Sequence, residues 1–190
     1  IGANSGNITL SGVISTSSSG YGLYKKGSYD LTLSGLNTFT NAIYVDQGTL
    51  KLGRAGDGTN GPLGTTATGV TVADGAVLDL NGYSLGLSET VSISGSGLSS
   101  SGALINSSAT DITFSGAIYL NANARINAGT NNLTLSGSIT NSTYTLTLDG
   151  AGRSLPKTRV PWRAHCSQAR EDPKHFHIQS EGPVRDCRRR

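Results

Sequence analysis

Residues 1–152 contain no cysteine and no histidine; Cys166, Cys187, His165, His175 and His177 all follow them. That absence excludes from this body a disulfide framework, a thiolate or imidazole nucleophile–base pair, and a His/Cys metal centre. Methionine is absent throughout, and Pro62 is the single proline before residue 156. No apolar run approaches the ~18 residues of a membrane-spanning helix. The opening Ile1-Gly2-Ala3-Asn4 lacks a basic-then-apolar leader, so the chain reads as an internal piece of something longer. A cysteine-free body fits an oxidising or extracellular setting.

Charge is scarce and unevenly placed. Residues 1–152 carry five Lys and Arg against eight Asp and Glu, a balance of −3. Residues 153–190 carry ten against four, a balance of +6, so the sequence pI of about 9.0 describes the tail. A nucleic-acid-binding body is therefore not expected. Prolines 156, 161, 173 and 183 break regular structure in the tail, and its C-x8-H-x-H-x9-C spacing matches no zinc module. The change of habit at one point reads as a domain boundary. Residues 1–152 form one segment, and 153–190 a basic, irregular tail that is disordered or non-native, as a frameshift would make it. The rival reading is a tail that caps the segment before it.

What is present in the body is a phrase that returns. It reads Ile8-Thr9-Leu10-Ser11-Gly12, then Leu-Thr-Leu-Ser-Gly at 31–35 and 133–137, Ile-Thr-Phe-Ser-Gly at 112–116 and Leu-Thr-Leu-Asp-Gly at 146–150. Apolar-polar-apolar followed by a turn is a short strand with one buried face. Leu10, Leu33, Leu52, Val72, Ile93, Phe114 and Leu135 share that setting, at steps of 23, 19, 20, 21, 21 and 21 residues. A period near 20 with several strands per turn predicts an all-β parallel solenoid of about seven rungs, ~21 residues each, with these seven residues in one inner ladder. Rungs ~4.8 Å apart make a rod of roughly 30 to 35 Å. A β-sandwich is the alternative, but it does not require one phrase at one spacing.

The stretch from Tyr21 to Thr40 (YGLYKKGSYDLTLSGLNTFT) and its continuation Ile43 to Gly53 (IYVDQGTLKLG) resemble the autotransporter-associated β-strand repeat, and Val70 to Gly82 (VTVADGAVLDLNG) resembles its usual sequel. Ser28-Tyr29-Asp30 stands where the repeat has G-x-G, and Asn41-Ala42 replaces its small-residue turn. The resemblance implies a right-handed parallel β-helix in the passenger region of a bacterial surface protein. It further implies export through a C-terminal outer-membrane barrel absent from this chain, and a place on the cell surface or in the medium.

The carboxylates Asp30, Asp46, Asp57, Asp74, Asp79, Glu89, Asp111 and Asp149 are spread out, and each reads as a solvated turn or outward strand position, Asp79 by alternation. Ala55 to Gly61 lacks the acidic ligands of a Ca²⁺ loop. The Thr-x-Thr pairs at 38/40 and 145/147 do not repeat from rung to rung. No catalytic, cofactor or metal site is expected. Tyr21, Tyr24, Tyr44, Tyr83, Tyr119 and Tyr144, with Tyr29, are candidates for binding host or cell-surface glycans or proteins, or for packing at rung corners. The functional expectation is a non-enzymatic stalk or adhesive display module. The alternative is a fragment of a polysaccharide-cleaving or glycan-binding β-helix protein.

Overall fold

Alternating apolar and small polar residues, punctuated by glycine, favour short pleated strands over any helix. The computed structural model describes residues 1–16, 22–65, 69–86 and 88–150, together with the backbone of two short tail strands. In chain order the strands are β1 (Ile8–Leu10), β2 (Leu23–Lys25), β3 (Asp30–Leu33), β4 (Ile43–Val45), β5 (Thr49–Leu52), β6 (Val70–Val72), β7 (Val77–Asp79) and β8 (Val91–Gly95). They continue with β9 (Leu104–Ile105), β10 (Ile112–Phe114), β11 (Ile118–Asn127), β12 (Leu133–Leu135), β13 (Ile139–Thr140), β14 (Leu146–Asp149), β15 (Leu155–Pro156) and β16 (Phe176–Ile178). The strands pair in parallel, β14 with β16 excepted. The fold is a parallel β-solenoid of about six turns.

Each turn visits three faces. On the first, Ile8, Leu31, Leu50, Leu78, Leu104, Ile126 and Leu148 are register partners in succession. On the third, Leu23, Ile43, Val70, Val91, Ile118 and Ile139 form a second ladder. The intervening second face is regular where β10 pairs with β12. Earlier it is held by single bonds such as Thr38 N–H to Ile14 O (3.0 Å) and Thr65 N–H to Phe39 O (3.1 Å). β11 runs from the third face through the corner into the first, with a register shift between Leu120 and Ala124.

The core is a stack of like residues. Leu31, Leu33, Leu50, Leu52, Leu78 and Leu104 are fully buried, each contributing about 1.5–3 kcal/mol of burial. Asparagines serve where the backbone bends inward. Asn37 Oδ1 accepts from Ile14 N–H (2.8 Å) and its Nδ2 donates to Pro62 O (2.6 Å), so one side chain ties the coils before and after its own. At the corner between third and first faces, Gly48 has φ 65°, and a Cβ there would lie 2.5 Å from the Gly27 carbonyl oxygen. Only glycine fits that approach.

The solenoid expected from the repeat is present, but its threading differs. The seven residues of the expected single ladder fall on three faces. Leu10, Leu33 and Leu52 lie on the first, Val72 and Ile93 on the third, Phe114 and Leu135 on the second. The cause is unequal coil length. Successive first-face steps are 23, 19, 28, 26, 22 and 22 residues. A fixed step of about 20 residues falls one strand short wherever a coil carries a longer turn, as from Leu52 to Val72. The tail, for the most part, lies outside the described residues. Its β15 adds in parallel to β12 and its β16 in antiparallel to β14.

Candidate functional site

Alternation decides which side chains leave the core. On the third face the outward row reads Tyr24, Tyr44, Thr71, Ser92, Tyr119 and Thr140, each the register partner of the next. All six carry a hydroxyl. The Tyr24 and Tyr44 rings stack with centroids 4.7 Å apart and planes 16° from parallel, and Lys26 Nζ lies 5.9 Å from the Tyr24 centroid. Lys26 also pairs with Asp46, one coil on, at 3.2 Å. Both partners are well exposed, so this bond contributes little to stability.

The structure thus brings together three of the sequence-derived tyrosines: Tyr24, Tyr44 and Tyr119. Tyr83 and Tyr144 stand apart in turns, with N–H groups bonded to Leu80 O and Asn141 O. Tyr29 occupies the corner after β2, bonded through its N–H to Ala3 O, and Tyr21 lies outside the described residues.

The carboxylates do not behave uniformly. Asp79 leaves the strand on the outward side, as alternation requires, but it is 2% exposed and not solvated as expected. Ser107 of the following turn covers it, donating from N–H (3.1 Å) and Oγ (2.6 Å), while Asn81 N–H (2.8 Å) and Lys51 Nζ (3.4 Å) complete the shell. Asp57 folds back on its own turn, accepting first from Asn60 N–H and then from Thr59 N–H, which holds its carboxyl below the usual range. Asp111 is held low in the same way, first by Asn132 N–H and then by the Asn132 and Asn131 side chains. Asp149 pairs with Arg125 at 2.9 Å. Among the described residues no group of three His, Cys, Asp or Glu side chains converges to hold a metal ion.

Two buried ionisable groups were not anticipated. Lys25 occupies an inward position that Val45 and Val72 fill in the next coils, and it is fully buried. Its Nζ donates to the carbonyls of Gly27 (2.6 Å), Gln47 (2.8 Å) and Lys26 (3.2 Å). Burial pulls its pKa down, and Asp30 partly opposes that. Glu89, expected to be solvated, is also fully buried, and among the described residues neither of its carboxylate oxygens has a hydrogen-bond partner. Burial pushes its pKa up to about 8. Asn41 Nδ2 and Thr65 Oγ1 are buried and, among the described residues, unbonded on the same stretch between second and third faces, in the two preceding coils. Both ionisable groups had a signal in the sequence: Lys25 has the parity of Leu23, and Glu89 that of Val91.

The chain matches no family model, no curated protein and no solved structure.

Proposed function

We propose that this chain is a non-enzymatic display segment. It is a β-helical stalk in the passenger region of a bacterial cell-surface or secreted protein, exposing an adhesive face to glycans or proteins. The observation that carries the reading is the register of the repeated phrase. Ile8-Thr9-Leu10, Leu31-Thr32-Leu33 and Leu50-Lys51-Leu52 stack directly on one another, so the sequence invests its repetition in extending a rod. Side chains that leave the rod are mostly Thr, Ser, Asn and Tyr. Those suit presentation of a surface more than general acid–base work, which needs converging groups of tuned pKa.

The resemblance to the autotransporter-associated repeat supplies the expected context: outer-membrane export and a C-terminal barrel in the parent protein. Two experiments test this. The gene downstream should encode alternating strands of about 10 residues ending in a barrel. Protease added to intact cells expressing the parent should release this segment. A segment retained inside the cell, or a parent gene without an export domain, would overturn the proposal.

A further inference from the structure

We infer that two copies of this chain join end to end through the open edge of the first coil, β1 of one copy running antiparallel to β1 of the other about a two-fold axis at Thr9. Among the described residues β1 pairs with β3 and with no strand on its other side. Leu10 O accepts from Ser34 N–H (2.8 Å), so Ile8 and Leu10 turn their backbone groups toward β3. The N–H and C=O of Thr9, between them, therefore point the opposite way, out of the end of the rod. Unpaired backbone groups in a row select a strand as their occupant. The side chains around them are those of an interior cut open. Ile8, Leu10 and Ile14 pack against the core yet are only half-buried, and Val13 (61% exposed) and Ile1 (41%) lie on the same coil. Among the described residues Leu98 is the one other large aliphatic side chain that is exposed. The occupant must therefore bring an apolar inward side as well as an extended backbone.

Three observations make that strand the chain's own. Residues 1–24 contain no Asp, Glu, Lys, Arg, His or Pro, so the edge carries none of the charges or prolines that ordinarily keep edge strands apart. A two-fold axis sets residues opposite their own kind, which repels a charged edge and suits a neutral one. The charge that remains, the Ile1 amine, is tied to Tyr24 O on the third face, away from the axis. Secondly, the strand is self-complementary. With Thr9 opposite Thr9, the two residues exchange both N–H···O bonds, and Ile8 of each copy meets Leu10 of the other on the core side. Thirdly, the far end of the rod offers no equivalent partner, since β16 covers β14 on the first face and β15 covers β12 on the second. Head-to-tail stacking is thereby blocked. Pairing of like ends is left, and it closes at two copies without growing into a filament.

Sedimentation of the full chain up to about 500 μM reads the assembly. The end of one coil is smaller than a standard interface of about 800 Å² per partner, so a dimer of the 19.5 kDa chain should form with a Kd of about 10–100 μM. Val13→Lys charges the end of both copies, and Thr9→Pro removes the outward N–H without touching the bonds to β3. Each should weaken the dimer about tenfold or more at an unchanged urea midpoint. A disulfide reads the geometry directly. Opposed residues of a hydrogen-bonded antiparallel pair have Cα atoms ~5.5 Å apart, within disulfide reach. With Cys166→Ser and Cys187→Ser in place, Thr9→Cys should give a covalent dimer on mild oxidation. Thr113→Cys, exposed on the second face, should give none. The inference is overturned if the chain stays monomeric over this range, which is the outcome if an upstream coil of a longer protein or a strand of a different one takes the edge. It is equally overturned if Val13→Lys dimerises as the parent sequence does, if both cysteine variants cross-link alike, or if assembly grows past the dimer.

Discussion

The Nζ of Lys25 lies 2.8 Å from the carbonyl oxygen of Gln47, which belongs to the next coil. One buried ammonium therefore joins two coils through backbone acceptors on both, the Gly27 carbonyl being the buried one. Lys25→Met keeps the apolar stem and removes the three donors. We predict a loss of about 1–3 kcal/mol, since the buried Gly27 carbonyl is left without its donor. A urea midpoint equal to that of the parent sequence would show that the ammonium adds nothing net.

Glu89 makes stability depend on pH. Folded, it titrates near 8; unfolded, near its ordinary 4.5. Below about pH 4.5 both states hold the proton and the group contributes no pH slope. Between those values the folded state keeps a proton that the unfolded chain releases, so stability falls as pH rises, by at most about 1.4 kcal/mol per pH unit. Above about pH 8 the slope ends. Glu89→Gln should flatten this part of the profile and raise stability at pH 8. Urea midpoints measured from pH 5 to 9 decide it; parallel profiles for the two proteins would refute the assignment.

The same two letters, Ser-Gly, end the first two copies of the repeated phrase but carry different loads. A Cβ on Gly35 would collide with the Gly12 carbonyl oxygen, whereas one on Gly12 meets nothing within 4 Å. Gly35→Ala should lower the thermal midpoint by several degrees, roughly 1–3 kcal/mol, and Gly12→Ala should leave it nearly unmoved. Equal effects would contradict the stacking order of these coils.

Phe114 is 2% exposed on the second face, paired in register with Leu135. Phe114→Asp places an unpaired charge in the stack and should cost more than about 4 kcal/mol. Retention of the parent's denaturation midpoint would mean that the ring faces outward.

Much of the fold was legible in the residues. Alternation in Leu31-Thr32-Leu33 shows which side is buried, and the recurring phrase reveals a solenoid. What could not be read was the face to which each copy belongs. Ile112-Thr113-Phe114 on the second face and Val70-Thr71-Val72 on the third follow the same apolar-Thr-apolar pattern as Leu31-Thr32-Leu33 on the first, because every face meets one shared core. Only the hydrogen-bond register, set by the longer turns near Gly61 and Ser99, separates them. The tyrosines show a similar limit. Their amphipathic character was visible singly, but the alignment of Tyr24, Tyr44 and Tyr119 depends on coils of unequal length falling into step. Asp79 was misjudged because its cover, Ser107, lies one coil away.

The direction of the ladders has a mechanical meaning. Hydrogen bonds between coils point along the rod, so a pull on its two ends loads them one coil after another. A coil of 22 residues, such as that from Leu104 to Ile126, adds about 4.8 Å to the rod while folded, and about 75 Å of contour once peeled away. A short rigid rod of this build is thus also a stored length of tether. It yields stepwise under tension and gives back its extension as the coils re-form.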